Sequence, residues 1–205
     1  MIGVIDYGMG NLGSVINALH YLEQDARLIS RSENIQDCHA LILPGVGAFG
    51  DCMDHLHEQQ FSLGIHEWIS AGKPLMGICL GLQVLFESSE ESPGVKGLSI
   101  FKGSVKKFSS TSYKVPQIGW NKLYIQQENC PMFKAIQDQS YYYLVHSYYV
   151  DTPDVSLIAG ETNYGKKYCS CIWRDNVFAT QFHPEKSQLV GIQMLRNFCD
   201  WSLVI

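Results

Sequence analysis

The first half of this chain alternates short apolar runs with stretches of helical periodicity, and this alternation restricts the fold more than any other feature. The run "IGVID" precedes "NLGSVINALHYLEQ", whose apolar residues recur at helical spacing. The runs "ARLIS" and "ALILPG" precede the helical stretches "DCMDHLHEQQ" and "LGIHEWISAG", and "KPLMGI" precedes "LGLQVLFESSEES", residues 80–92. Strands separated by helices pair in parallel through right-handed crossovers, so we expect a mostly parallel central sheet flanked by helices.

The second half of the chain, from about residue 97, has the pattern of strands and turns. The predicted strands are "SIFKGSVKKF", "SYYYLVHSYYV", "SLIAGET", "CSCIW" and "VFATQF", with "RDN" (174–176) as a hairpin turn. A helix, "SQLVGIQMLRNFCDWSL", follows them. Because no linker, repeat or low-complexity tract interrupts the pattern, residues 1–205 are expected to form one three-layer α/β domain with a β-rich second half.

Composition excludes several classes of function. The chain has 205 residues, a formal net charge of −5 and no basic run longer than a pair, so we expect neither nucleic acid nor a membrane surface as a partner. No apolar stretch approaches the ~20 residues of a membrane span, and "MIGVIDYG" lacks the positive region of a signal peptide. Seven cysteines without a CxxC pair indicate free thiols in a reducing cytoplasm.

Two groups of potential metal ligands have simpler explanations. Cys169 and Cys171 would face the same side of a strand, and two packed core thiols explain them better than a zinc site. His55 and His57 stand two apart on a predicted helix, where such residues face apart. We therefore expect no metal site.

The segment "GMGNLG", Gly8 to Gly13, fits the dinucleotide-binding fingerprint between a predicted strand and helix. An oxidoreductase that binds NAD(P) is therefore one alternative. The fingerprint also needs an acidic residue at the end of the second strand, about 20 residues on, to hold the ribose. Here that strand runs into Arg31, with Glu33 beyond it, so a tight turn that uses glycine dihedrals is the better interpretation.

Cys79 lies between two glycines in "GICLG", directly after an apolar run. This is the nucleophile-elbow pattern with cysteine in the serine position, in which glycines permit a strained strand-to-helix turn that presents the side chain. The amide of Leu80 would point into the same space and stabilise an oxyanion. The alternative is an ordinary buried cysteine beside a helix, and the segment alone does not decide between them.

The segment "QFHPEKS" (181–187) offers the partners that such a cysteine needs. His183 and Glu185 stand two apart at the end of a predicted strand, so their side chains would point the same way. Pro184 disfavours helical backbone at His183, and the helix is expected to begin at about Ser187. A histidine oriented by an acid and set opposite a cysteine is the arrangement of an activated nucleophile.

The segment "LPGVGAFG" (43–50) follows a predicted strand two elements before the elbow. Its glycines on either side of Val46 would let a backbone amide turn towards a bound carbonyl oxygen. Together with the Leu80 amide this would complete an oxyanion hole. Taken alone, the segment is also just a loop at the strand end where open α/β sheets bind ligands.

The motifs "PGVG", "GICLGLQ" and "QFHPEKS", in this order and separation, resemble those of the triad (class I) glutamine amidotransferases. More narrowly, "DYGMGNLGSV", "PGVGAFGDCM", "PQIGWN" and "YYYLVHSYYV" resemble the glutaminase subunits that serve histidine biosynthesis. The resemblance covers essentially the whole chain and implies the three-layer fold of that family. One departure is Gln117, where histidine is common in the family; it lies outside the triad and bears on the partner surface.

The resemblance implies hydrolysis of L-glutamine to glutamate and ammonia, without a metal or redox cofactor. Cys79 would attack the side-chain amide, His183 would transfer protons and Glu185 would hold the imidazole. Amides near Gly47 and at Leu80 would take the oxyanion. The glutamine-binding positions implied are Gly45, Gln83, His146, Ser147 and Tyr148.

The resemblance also implies a protein partner, a (β/α)8-barrel synthase subunit that receives the ammonia within a heterodimer. The implied contact positions are Asn11, Trp120, Tyr143 and Lys186. Trp120 and Tyr143 would otherwise be core aromatics, and Lys186 a solvated charge. Because free ammonia would be wasted, we expect the isolated chain to be nearly inactive, with the "PGVG" amide turned away from the site.

Two further alternatives accompany the oxidoreductase. A catalytically idle assembly partner would keep the fold alone, although the intact Cys79, His183 and Glu185 argue against it. A paralogous glutaminase would feed a different synthase, one that amidates a surface sugar. "GWN" and "YYYLVHSYYV" do not decide between that use and histidine biosynthesis.

Overall fold

The computed structural model describes residues 1–109 and 113–205. In chain order its strands and helices are β1 (Ile2–Ile5), α1 (Leu12–Tyr21), β2 (Ala26–Ile29), β3 (Ala40–Gly45), α2 (Phe49–Glu58), α3 (Phe61–Ser70), β4 (Leu75–Cys79), α4 (Leu80–Gln83), β5 (Ser88–Ser89), β6 (Ser104–Lys107), β7 (Gln117–Lys122), β8 (Tyr124–Ile125), β9 (Tyr141–His146), β10 (Tyr148–Asp151), β11 (Ile158–Asn163), β12 (Lys167–Arg174), β13 (Val177–Thr180) and α5 (Gln188–Trp201).

Most of the described strands form one mixed sheet, in the order β2-β1-β3-β4-β13-β12-β10-β6-β5. The first five strands of that order are parallel, which confirms the predicted sheet. Every residue of β1, β3, β4 and β13 is buried, as expected where helices cover both faces of a parallel sheet. β12, β10 and β6 continue the sheet with antiparallel pairing, and β12 and β13 form the hairpin predicted at "RDN".

The helices lie on the two faces of this sheet, as predicted for three layers. On one face the apolar sides of α1 and α5 pack together, with Val15 and Leu19 in the same core cluster as Met194 and Phe198. On the other face α2 and α3 supply a second cluster that contains Leu56. The carboxyl ends of β3, β4 and β13 therefore meet at one edge between two covered faces.

The predicted helix over residues 80–92 is wrong. α4 is a single turn, after which the chain folds back so that the Leu98 amide donates to the Val84 carbonyl at 2.7 Å. Ser88 and Ser89 instead form β5, which pairs with β6. The segment "ESSEESPG" is rich in serine and ends in proline and glycine, which disfavour a helix, and pairing with β6 supplies its backbone hydrogen bonds.

The strands of the second half lie where they were predicted, with two exceptions. "SIFKGSVKKF" is extended only at β6, and "SYYYLVHSYYV" is broken at Ser147 into β9 and β10, which belong to different sheets. β7, which carries the "QIGWN" segment, was not predicted as a strand. It pairs antiparallel with β9 in a separate two-stranded sheet, with Trp120 directly opposite Tyr143. Because this pairing joins residues far apart in the chain, local sequence pattern carries little signal for it.

Cys169 and Cys171 are both buried thiols, as predicted, but they do not share a side of the sheet. Cys169 belongs to one core cluster and Cys171 to the other. The neighbouring residues Gly160 and Glu161 of β11 pair with Cys171 and Cys169, which leaves Ser170 as an extra residue. Such a bulge reverses the alternation of side chains along a strand.

Candidate active site

Cys79 stands at a strained turn between β4 and α4. Its φ of 56° and ψ of −106° lie outside the regions that side-chain-bearing residues ordinarily adopt, as expected for a nucleophile elbow. The flanking glycines are required by close packing: a Cβ on Gly81 would overlap the Leu43 carbonyl oxygen, and one on Gly77 would lie 2.6 Å from the Gly81 oxygen. The "GICLG" pattern therefore has the geometry that the sequence predicts for it.

His183 and Glu185 form a buried pair at the same edge of the sheet. β13 runs parallel to β4, with Thr180 opposite Ile78, so the segment after β13 emerges beside Cys79. The His183 Nδ1 lies 2.8 Å from the Glu185 Oε1, and their side chains are 2% and 1% exposed. His183 has extended backbone before Pro184, as predicted, but Glu185 lies in a short 3-10 turn and not in an extended segment.

The electrostatic environment of His183 favours its protonated form. Burial lowers the pKa of the imidazole, but the neighbouring Cys79 and Glu185 outweigh that effect and raise it above its ordinary value. Because Nδ1 is held by Glu185, Nε2 is the ring nitrogen that remains for chemistry. Nε2 is buried and has no hydrogen-bond partner among the described residues. This imidazole can therefore exchange a proton with a group bound beside Cys79.

Cys79 and His183 open onto one cavity of about 290 Å³, near the lower end of the ~300–1,000 Å³ typical of small-ligand sites. Six of the predicted oxyanion and glutamine-binding residues line it as well: Gly47, Leu80, Gln83, His146, Ser147 and Tyr148. The structure thus gathers residues from four separate segments of the chain around a volume suited to a small molecule.

Gly45 and Gly47 have different places around this cavity. Gly45 pairs directly with Cys79 across β3 and β4, and a Cβ there would lie 2.8 Å from the Leu80 Cβ, so Gly45 sets the spacing of the elbow without lining the cavity. Gly47 lines the cavity and has a φ of +98°, a conformation that favours glycine. The Met9 side chain packs against Gly47, only 2.6 Å from where a Cβ would stand.

The "GMGNLG" segment therefore packs beside the cavity as a turn. Gly8 and Gly10 both have positive φ, and the Gly8 amide donates to the Asp6 carboxylate at 3.1 Å. This agrees with the predicted tight turn between β1 and α1.

His146 lines the cavity, but both of its ring nitrogens contact protein groups. Nδ1 lies 2.7 Å from the Tyr148 carbonyl oxygen and Nε2 lies 3.2 Å from the Tyr168 hydroxyl. Burial is the largest effect on its pKa, which is lowered to about 4. The imidazole is therefore neutral at physiological pH.

Gln117 is buried, and its side chain faces the interior and not the partner surface. The Tyr168 hydroxyl donates to its Oε1 at 2.9 Å. The departure from the family pattern at this position therefore affects the packing behind the cavity, which corrects the prediction that it bears on the partner surface.

Glu91 is a cavity residue that the sequence analysis missed. It lines the cavity together with Tyr148, whose pKa is raised by burial and by the negative charges of Glu91 and Glu90. Its Oε2 accepts a hydrogen bond from the Phe49 amide at the start of α2, at 2.8 Å. No local signal distinguishes Glu91 from its neighbours in "ESSEES", because only the return of the chain after α4 brings it to the cavity.

The predicted partner positions lie around the two-stranded sheet of β7 and β9. Trp120 is 45% exposed and Tyr143 half-buried, with ring centroids 6.0 Å apart, so Trp120 is not a core residue. The Tyr143 carbonyl accepts a hydrogen bond from the His183 amide at 3.0 Å, which ties this sheet to the candidate base. Lys186 is exposed, and the short turn that contains it contacts α1, which begins just after Asn11.

The described residues hold no group of three or more His, Cys, Asp or Glu side chains placed to bind a metal ion. Across the same two ranges, none of the helices combines the length and apolarity needed to cross a membrane.

The fold and this arrangement agree with a known class of proteins. The family model described as "Glutamine amidotransferase class-I" matches residues 3–201, so the chain belongs to the class-I glutamine amidotransferase family. A solved structure described as "Crystal structure of glutamine amidotransferase" has the same fold, with a TM-score of 0.77, 17% identity and coverage of 99% of each chain.

Within this family, the chain belongs to the group of imidazole glycerol phosphate synthase subunits called HisH. It is 46% identical to the "Imidazole glycerol phosphate synthase subunit HisH" of Methanocaldococcus jannaschii, over 98% of this chain and 99% of that protein. It is 45% identical to the subunit of the same name from Syntrophotalea carbinolica, over 98% of this chain and 100% of that protein.

Proposed function

We propose that this chain is the glutaminase subunit of an imidazole glycerol phosphate synthase and that it hydrolyses L-glutamine to glutamate and ammonia. One observation carries the chemistry: a cysteine on a strained elbow and a histidine held by a buried carboxylate open onto the same small cavity. The names of the full-length relatives supply the identity of the complex.

In the first half of the reaction, the Cys79 thiolate attacks the side-chain amide carbon of glutamine. The carbonyl oxygen becomes an oxyanion, which the Leu80 amide and an amide near Gly47 stabilise. His183, protonated because Cys79 and Glu185 raise its pKa, gives its Nε2 proton to the departing nitrogen. The carbon–nitrogen bond breaks, ammonia leaves and a γ-glutamyl thioester remains on Cys79.

In the second half, water attacks the thioester carbon while His183 takes a proton from it. The carbon–sulfur bond then breaks, which releases glutamate and returns the sulfur as a thiolate. Glu185 holds Nδ1 throughout, so that Nε2 always faces the reacting atoms.

The residues that line the cavity would hold glutamine. Gln83, Ser147 and Tyr148 form its walls, and the engaged His146 ring fixes the shape of that wall. Glu91 places a carboxylate where the α-ammonium of glutamine can pair with it. Gly45 acts indirectly by setting the distance between β3 and the elbow.

We further propose that a (β/α)8-barrel synthase subunit binds over β7 and β9 as a heterodimer and receives the ammonia. The outer side chains of these strands include Ile118, Trp120 and Tyr141, which are 61%, 45% and 53% exposed. Adjacent exposed apolar side chains of this size are typical of a protein interface. Tyr143 pairs with Trp120, and its carbonyl accepts a hydrogen bond from the His183 amide. Lys186 lies in the short turn after His183, and that turn contacts α1, which Asn11 precedes.

Residues 1–205 would act as one domain in the cytoplasm. Strands from both ends of the chain, β1 and β13, belong to the same sheet, which supports a single folding unit. All seven cysteines are free and buried, which suits a reducing compartment.

Glutamate release from glutamine tests this function. The purified chain would be measured alone, then with a barrel synthase subunit and its nucleotide ligand, with Cys79→Ala as the matched variant. We expect little activity alone, a large rise in the complex and none in Cys79→Ala. Activity that survives in Cys79→Ala would overturn the proposed nucleophile. An inactive complex would contradict the glutaminase and favour an idle assembly partner, or a partner of a different, sugar-amidating pathway.

A further inference from the structure

Gln181 is a fully buried amide that touches the sulfur of the candidate nucleophile. Its Nε2 lies 3.7 Å from the Cys79 Sγ as a hydrogen-bond donor, and its Oε1 accepts a hydrogen bond from Gln83 Nε2 at 3.0 Å. The Gln181 side chain is not among the cavity-lining groups of the described residues. Because Gln181 is also 0% exposed, it has no open surface with which to contact a substrate.

The direction of this hydrogen bond is fixed by a backbone carbonyl. Gln83 Nε2 lies 3.2 Å from the Tyr148 carbonyl oxygen, a group that can only accept, so this end of the Gln83 amide must be the nitrogen. The same nitrogen donates its other hydrogen to Gln181, which makes the facing atom of Gln181 its oxygen. The remaining end of the Gln181 amide, the nitrogen, must then point at Cys79.

The carbonyl that sets this direction is itself held in place. It lies 2.7 Å from His146 Nδ1, so that nitrogen carries the proton of the neutral ring. The other ring nitrogen lies 3.2 Å from the Tyr168 hydroxyl oxygen, which in turn lies 2.9 Å from the Gln117 side chain. All the side chains of this series are more than nine-tenths buried: Gln181, Gln83, His146, Tyr168 and Gln117. Inside a protein such a series is rigid, because rotation of any member would leave a buried polar group without a partner.

We propose that Gln181 is a positioning residue that donates a hydrogen bond to the Cys79 thiolate and aims it at the cavity. An N–H donor stabilises the sulfur when it carries negative charge, before attack and again when it leaves the thioester. His183 and the oxyanion-stabilising amides act on the substrate, whereas Gln181 acts only through the sulfur. The catalytic consequence rests on the proposed function; the effect on the thiol does not.

The test is the rate at which iodoacetamide alkylates Cys79 as a function of pH, followed by mass spectrometry of the peptide that contains it. In Gln181→Met, a residue of similar length without a donor, we expect the midpoint of this pH profile to rise by about one unit. Alkylation at a fixed pH below the midpoint would then be about ten-fold slower. Gln181→Glu keeps an acceptor for Gln83 but turns oxygen towards the sulfur, so we expect a rise at least as large.

Gln193→Met is the matched control, because Gln193 is a hydrogen-bonded glutamine on α5, where it donates to Asn197. We expect the parent midpoint in this variant. Circular dichroism and thermal unfolding identify variants that remain folded, and Gln181→Glu keeps the test open if Gln181→Met does not fold. A folded Gln181 variant with the parent midpoint would overturn the proposal.

Kinetics in the complex provide the second measurement. Because Gln181→Glu keeps an acceptor for Gln83, which lines the proposed glutamine site, we expect this variant to lower kcat for glutamine about ten-fold while KM stays close to the parent value. A rise in KM of the same size, with kcat unchanged, would contradict a role through the sulfur. If the parent complex released no glutamate, the proposed function would fail, yet the alkylation profile would still decide the role of Gln181.

Discussion

The carboxylate of Glu91 accepts a hydrogen bond from the Phe49 amide at 2.8 Å and at the same time lines the cavity that holds Cys79. One acidic side chain thus joins the start of α2, directly after the "PGVG" loop, to the proposed glutamine site. A substrate ammonium that pairs with Glu91 would bind to a group already fixed by the helix.

Glu91→Gln tests this pairing. Removing the charge should lower kcat/KM for glutamine about ten-fold, because a charge-assisted contact with the α-ammonium is lost. The change should have little effect on glutaramate, which has the same side-chain amide but no ammonium. Equal losses for both compounds would mean that Glu91 supports the fold of the site and does not recognise the amino group.

Glu185→Gln should lower kcat for glutamine about 10³-fold in the complex. The neutral amide cannot favour the imidazolium, and it no longer dictates which nitrogen of His183 carries the proton. Exposed Glu128 offers the same substitution away from the site, and Glu128→Gln should behave as the parent. A fall of less than ten-fold in Glu185→Gln would remove Glu185 from the proposed triad.

The burial of His146 predicts a loss of stability in acid. Its pKa is about 4 in the folded chain, mainly because of burial, and about 6.5 unfolded, so the unfolded state binds the proton first as pH falls. The stability that neutral His146 contributes is complete above pH 6.5 and is lost as pH falls towards 4. By linkage this amounts to about 2 kcal/mol between pH 8 and pH 5.

Urea unfolding at both pH values measures that loss. Between pH 8 and pH 5, the free energy of unfolding should fall in His146→Gln by about 2 kcal/mol less than it does in the parent, because glutamine does not titrate. His66→Gln, at an exposed histidine, should retain the full loss. The same acid dependence in His146→Gln and the parent would show that the ring is not kept neutral by its surroundings.

Trp120→Ala tests the proposed interface. Because Trp120 is 45% exposed on β7, its loss should weaken binding of the barrel subunit at least ten-fold, as for an aromatic hot spot, and leave the melting temperature of the isolated chain nearly unchanged. Tyr21→Ala removes another exposed aromatic side chain, on α1, and should not affect binding. Unaltered affinity in Trp120→Ala would place the partner elsewhere.

Much of the fold could be predicted because its signals are local. The buried strands β1, β3 and β4 appear as uninterrupted apolar runs, and the glycines around Cys79 are dictated by contacts such as that of Gly81 with Leu43. The helix predicted over 80–92 was wrong because pairing with β6 outweighed a weak helical pattern.

The remaining features depend on contacts between distant residues, which one sequence does not display. The hydrogen bond that the Phe49 amide donates to Glu91 joins residues whose proximity no local pattern indicates. The same is true of the pairing of β7 with β9. The family resemblance implied that His146 is a glutamine-binding position, but it did not indicate that the neighbouring carbonyl and Tyr168 occupy both ring nitrogens.

The parallel pairing of β4 with β13 has a consequence for how this protein is made. The proposed nucleophile lies at residue 79, but the histidine proposed to serve it is at residue 183 and reaches it only when β13 takes its place beside β4. A ribosome that has completed the first hundred residues therefore holds a nascent chain with the thiol but without its base. With the proposed triad, such unfinished chains do not consume glutamine, so the order of translation itself delays activity until nearly the whole polypeptide has emerged.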